Sequence, residues 1–133
     1  MGVWEMAVET RSGLYVPPGW PEEVCPPGAP DWEATAVVWL LDCCPADFRG
    51  YPVLRRHPVV LAGFAAQFVE SRYRVSKAGL AGVRESLGEQ MAPHVVESAV
   101  EAWQAQTAHL VRVRKGVALV EEALRGKVFI QRL

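Results

Sequence analysis

The chain has 133 residues, half of them hydrophobic and 22% charged, which is the composition of one globular domain and excludes a disordered chain. Its 14 basic and 15 acidic residues leave a formal charge of −1, which argues against a dedicated nucleic-acid binder, since such domains carry an excess of Lys and Arg. The longest charge-free apolar run, Pro58 to Val69, has twelve residues, too few to cross a bilayer.

The N-terminal stretch "MGVWEMAVET" has neither the basic nor the apolar region of a secretory signal. Three irregularly spaced cysteines make no disulfide framework. The expected setting is therefore the cytoplasm, with no membrane association. The whole chain, 1–133, reads as one helical domain.

Residues 1–30 form a Pro-rich arm. "VWEMAVETRSGLYV" suggests a short hairpin turning at Arg11-Ser12-Gly13. Seven of the ten prolines then fall between Pro17 and Pro45. Because proline fixes φ and removes an amide donor, "YVPPGWPEEVCPPGAPD" is expected to run as extended or polyproline segments. Tyr15, Trp20 and Val24 would pin it to the body.

A short helix is expected over 31–44, with Asp31 as N-cap, Glu33 in the first turn and Pro45 as the stop. Val37, Leu40, Leu41 and Cys44 share one face, and Val38 and Trp39 make the flank apolar, so this helix should be buried. "PADFRGYPVL" then turns the chain.

Two long helices follow, over 58–90 and 93–125, opened by Pro58 and Pro93 and ended in the second case by Gly126. Residues 126–133 are a tail. The short link "GEQMA" forces an antiparallel hairpin. In the second helix Val96, Trp103, Leu110, Val117 and Leu124 recur every seven residues, with Ala99, Gln106, Val113 and Val120 at the +3 positions. In the first, Val69, Tyr73, Ser76, Leu80, Val83 and Leu87 form a matching seam. A second stripe, Val75, Gly79, Gly82 and Ser86, is small. Each internal glycine costs about 1 kcal/mol against alanine, so the pair signals either close approach of another helix or a kink. Two seams on one helix need two partners, and a homodimer of hairpins completing a four-helix bundle is the economical arrangement.

Chemistry-bearing motifs are sparse. Cys25, Cys43, Cys44 and His57 match no zinc spacing, and adjacent Cys43 and Cys44 read as small buried hydrophobes. Glu97 and Glu101 share a face but lack the Glu-x-x-His pattern of bundle di-iron sites. Cys25 with His94 or His109 is a pairing any such composition allows. No phosphate loop, G-x-S-x-G or H-E-x-x-H occurs. The basic stretches "RVRK" (112–115) and "RYRVSK" (72–77) spread over several faces and are offset by Glu70 and Glu121, with Glu70–Arg74 and Glu121–Arg125 placed as i,i+4 pairs. No catalytic residue, metal ligand or cofactor is assigned.

One cluster stands out. Arg55-Arg56-His57 precede Pro58, where the free amides and the positive end of a helix dipole disfavour cations. Asp42 or Asp47 could neutralise them internally. Otherwise they form a site for an anion or a protein partner, with Trp20 on the arm as a lesser candidate. The sequence thus points to a non-catalytic helical interaction or regulatory protein acting as a homodimer. The alternative is a helical bundle holding a small anionic ligand with Arg55, Arg56 and His57 at its mouth.

Overall fold

The computed structural model describes residues 14–132; the hairpin expected around Arg11 lies outside the described residues. The chain forms α1 (Trp32–Asp42), a 3-10 turn (Ala46–Gly50), α2 (Pro52–Arg56), α3 (Pro58–Leu87) and α4 (Pro93–Leu124), with no strand among the described residues. Proline opens α2, α3 and α4, where a missing amide costs no helical bond. The fold is all-α. The two long helices measure about 45 and 48 Å at 1.5 Å per residue.

Their pairing is antiparallel, because contacts between them run in opposite directions along the chain. Glu70 meets Arg114, Ser76 meets Thr107, Gly79 faces Trp103 and Arg84 pairs with Glu97. The glycines of α3 do not break it; the helix is continuous through Gly79 and Gly82. α4 ends at Leu124, and the expected stop residue Gly126 turns the chain at a φ of +100°, with the Lys127 amide bonding the Glu122 carbonyl at 3.0 Å.

The arm differs from the extended run that its prolines suggest. Its residues 17–29 fold as three successive turns, closed by Trp20 N–H to Pro17 O (3.1 Å), Val24 N–H to Pro21 O (3.2 Å) and Ala29 N–H to Pro26 O (3.0 Å). In "PPGW" and "PPGA" the second proline and the glycine take the central positions of a turn, and Gly19 and Gly28 adopt φ of +95° and +93°. Proline fixes the first central residue and only glycine readily adopts the positive φ of the second. Thr35 ties the arm to α1 by accepting the Cys25 amide at 2.9 Å. Asp31 caps α1 without a side-chain hydrogen bond, and α1 ends at Asp42, two residues earlier than expected.

The core lies at one end of the hairpin, the base. There Val24 of the arm, Ala36, Trp39, Leu40 and Leu41 of α1, and Leu54 of α2 pack against Leu61, Ala65 and Val69 of α3 and Val117 and Val120 of α4. Val38, expected to help bury α1, is exposed instead. Beyond about Tyr73 on α3 and Leu110 on α4, among the described residues, the two long helices pack only on each other.

That asymmetry revises the seam. Val96, Leu110 and Val117 are buried as read from the heptads, and Tyr73, Leu80, Val83, Leu87, Trp103 and Leu124 are half-buried. The flank differs: in the outer half it is Val100 and Thr107, at +4, that face α3, while Gln106 is exposed. Only in the base do the +3 residues Val113 and Val120 join the core. A straight helix drifts by about 20° per heptad, and α1 adds a second buried face at the base end.

Close approach accounts for two glycines. A Cβ at Gly79 would lie 2.5 Å from the Trp103 ring, and one at Gly116 would lie 3.0 Å from the Trp39 ring. Each tryptophan is also held by its indole N–H, from Trp103 to the Ser76 carbonyl at 2.5 Å and from Trp39 to Glu23 at 3.1 Å. Gly82 has open space around it.

Candidate functional site

Arg55 and Arg56 occupy the last turn of α2, and His57 links it to α3. This corrects the picture of a loop before one helix: "PVLRR" is itself helical, and Arg55 and Arg56 sit at a C-terminal end, where cations are favoured. All three are exposed. Arg55 reaches the Arg49 carbonyl at 3.4 Å, and Asp42 is taken by Arg49 at 2.5 Å. Among the described residues neither Arg55 nor Arg56 has a carboxylate partner, so the internal neutralisation by Asp42 or Asp47 does not form.

A concavity lies elsewhere. A half-open cleft of about 880 Å³ separates the arm and α1 from the middle of the hairpin. Trp20, Pro21, Glu22 and Glu23 form one wall, Trp39, Asp42 and Cys43 the floor, and Arg72, His109, Leu110, Arg112 and Lys115 the opposite wall. Trp20, anchored by its indole N–H to the Val24 carbonyl at 2.8 Å, is thus the one of the four anion- or partner-site candidates that lines it. Arg55, Arg56 and His57 line neither this cleft nor the two smaller depressions on the surface. Sequence reasoning passed over Arg72 and Arg112 because they sit in stretches that read as solvated charge; only the fold brings them to one cleft. Neither has an ion-pair partner among the described residues.

The third feature is the side of the outer hairpin that no described element covers. On α3 Val75, Gly82 and Ser86 continue the face that Leu61, Phe68 and Arg72 present at the base, with the Gly79 notch between them filled by Trp103. On α4 Val95, Ala99 and Ala102 continue the face that meets α1 through Val113 and Gly116. Val75 is 65% exposed and Val95 40%. At the outer end the Arg84–Glu97 ion pair bridges the helices on another side.

Burial, then the neighbouring Cys44, push the Cys43 thiol up to about 12, against the pull of Arg72, and burial raises Cys44 as well. Both remain thiols at neutral pH and act as small apolar groups. Among the described residues no three His, Cys, Asp or Glu side chains come together as a metal site requires, and no helix is long and apolar enough to cross a membrane. Glu97 is engaged with Arg84, and the Glu70–Arg74 and Glu121–Arg125 pairs form as the spacing predicts. Compared with protein-family models, curated proteins and solved structures, the chain matches none.

Proposed function

We propose that this is a non-catalytic helical interaction protein that acts as a homodimer, the outer half of each hairpin packing against that of a second copy. The observation that carries this reading is where the covering layer stops. At the base α1 and the described part of the arm cover the hairpin; beyond them, among the described residues, the same side presents Val75 and Gly82 beside Val95, Ala99 and Ala102, while the Gly79 notch is filled by Trp103 of the same chain. Small side chains allow helices to approach closely, and two such hairpins related by a twofold axis complete a four-helix bundle.

Light scattering over a dilution series tests it, with Val75→Glu and Ala102→Glu alongside. Both positions are exposed in the single chain, so these charges leave its fold intact and are expected to dissociate a dimer. A wild-type chain that remains monomeric at high concentration overturns the reading.

A second reading, a small anionic ligand, is supported by the cleft and not by the Arg55 cluster. Arg72, Arg112 and Lys115 on the hairpin wall would take the anion, and Trp20 and Trp39 its apolar body. Titration with phenyl phosphate, followed by tryptophan fluorescence, is expected to saturate and to weaken in Arg72→Gln and Arg112→Gln.

A further inference from the structure

The 3-10 turn, α2 and the first turns of α3 assemble an aromatic patch. Phe48 sits at its centre, with its ring centroid 5.8 Å from Tyr51, 6.1 Å from Phe64 and 5.3 Å from Phe68, each pair edge-on at 66–81°. Phe48 and Phe68 are half-buried, whereas Tyr51 is 51% and Phe64 45% exposed. Val53 on α2 and Val60 on α3 are exposed as well. An apolar cluster of this kind, left open beside polar residues, is unusual on a surface with no partner.

Its rim is cationic. Arg49 follows Phe48 in the chain, and Arg55 touches the Arg49 carbonyl; Arg56 and His57 lie between Val53 and Val60. Arg49 is engaged by Asp42, but Arg55 and Arg56 have no carboxylate among the described residues. Aromatic rings with arginine at the margin are the composition of interface hot spots.

We propose that this patch docks an acidic amphipathic segment of a partner protein, one apolar side chain seating against Phe48, Phe64 and Tyr51 while carboxylates meet Arg55 and Arg56. Three observations favour that occupant. Uncommitted arginines beside an apolar centre are complementary to an acidic peptide with an apolar anchor. A second copy docking here through a twofold axis would face Arg55 and Arg56 with the same cations, which is repulsive. Rings packed edge-on against one another do not project as a bilayer-inserting wedge does. This surface lies at the base, apart from the outer-hairpin face, so the proposal stands independently of the dimer.

The test uses the full chain and a fluorescent helical peptide of leucine, alanine and glutamate, about 18 residues or five turns long. A peptide with lysine for glutamate and vesicles of phosphatidylcholine with phosphatidylserine are the comparisons. Binding is read by anisotropy, and retention of the fold by circular dichroism. The glutamate peptide is expected to bind at least about tenfold more tightly than the lysine peptide, to lose about tenfold with Phe64→Ser, and to lose its salt dependence with Arg55→Gln and Arg56→Gln together. Several results overturn the proposal: no binding by either peptide, equal binding of both, indifference to the substitutions, or preference for the vesicles. So does a Phe64→Ser chain whose dimer dissociates, since that makes the patch an interface between copies.

Discussion

The base and the outer half of the hairpin are built from the same two helices, yet they are stabilised differently. At the base α3 and α4 are two walls of a core that α1, α2 and the arm close, and Leu40, Leu54, Leu61 and Val120 are almost wholly removed from water. In the outer half, among the described residues, each helix has only the other. Its contacts are Leu80, Val83 and Leu87 against Val96, Val100 and Trp103, one polar layer in which Ser76 and Thr107 share a hydrogen bond at 2.5 Å, and the Arg84–Glu97 pair. Stability follows the number of buried faces rather than the number of helical residues, since most helix stability in proteins comes from packing.

The largest effect is expected where that packing is complete. Leu40→Ala at the base removes a fully buried side chain and should cost about 3 kcal/mol of global stability, read by chemical denaturation. Native-state hydrogen exchange should show the outer half opening below the global free energy, with amides near Val83 and Ala99 exchanging before those near Leu61 and Val120. Uniform protection along both long helices would break the comparison.

Gly79 and Gly82 of α3 sharpen it. Gly79→Ala forces the Trp103 ring aside and should destabilise the protein by about 1–2 kcal/mol, with a change in tryptophan emission. Gly82→Ala, with nothing near its new methyl, should stabilise by about 1 kcal/mol. Effects of the same sign at both positions would mean that Trp103 does not occupy that notch.

Cys43 gives the base a pH signature. Its thiol is raised to about 12 by burial, against an ordinary value near 9 in the unfolded chain. Below pH 9 the thiol is protonated in both states and costs nothing. Between pH 9 and 12 the unfolded state releases its proton first, so stability falls as pH rises. Cys43→Ala should make the alkaline decline shallower in denaturation curves measured at pH 8 and pH 10. The smallest effect is expected at Glu70, which holds Arg74 at 3.2 Å and Arg114 at 2.7 Å on a partly exposed surface. Glu70→Gln should cost under about 1 kcal/mol, and high salt should erase the difference.

Much of the architecture was legible because helix signals are local. Prolines at positions 58 and 93, Gly126, the short link and the seven-residue recurrence from Val96 to Leu124 act within a few turns of one helix. The turns of the arm were legible too, in the repeated Pro-Pro-Gly of "PPGW" and "PPGA", but proline content suggested extension. The short helix of "PVLRR" was hidden by its length: one turn has little periodicity to read. The heptads named the right helices and misplaced part of the seam, since Gln106 and Thr107 are distinguished only by which side α3 packs on.

The candidate sites divide along the same line. Arg55-Arg56-His57 stood out as a local cluster, and the structure leaves it exposed. The cleft that takes in Trp20, Arg72 and Arg112, and the patch that joins Phe48, Tyr51, Phe64 and Phe68, have no contiguous signature. The sequence by itself determined the helical hairpin, its antiparallel direction and its amphipathic faces, all consequences of short-range spacing and backbone chemistry. Only the tertiary structure decided where along the hairpin the covering layer ends, which glycine admits a tryptophan, and which aromatic rings and cations meet at the surface. Those depend on how far α1 and the arm reach across the long helices, a distance that no local pattern encodes.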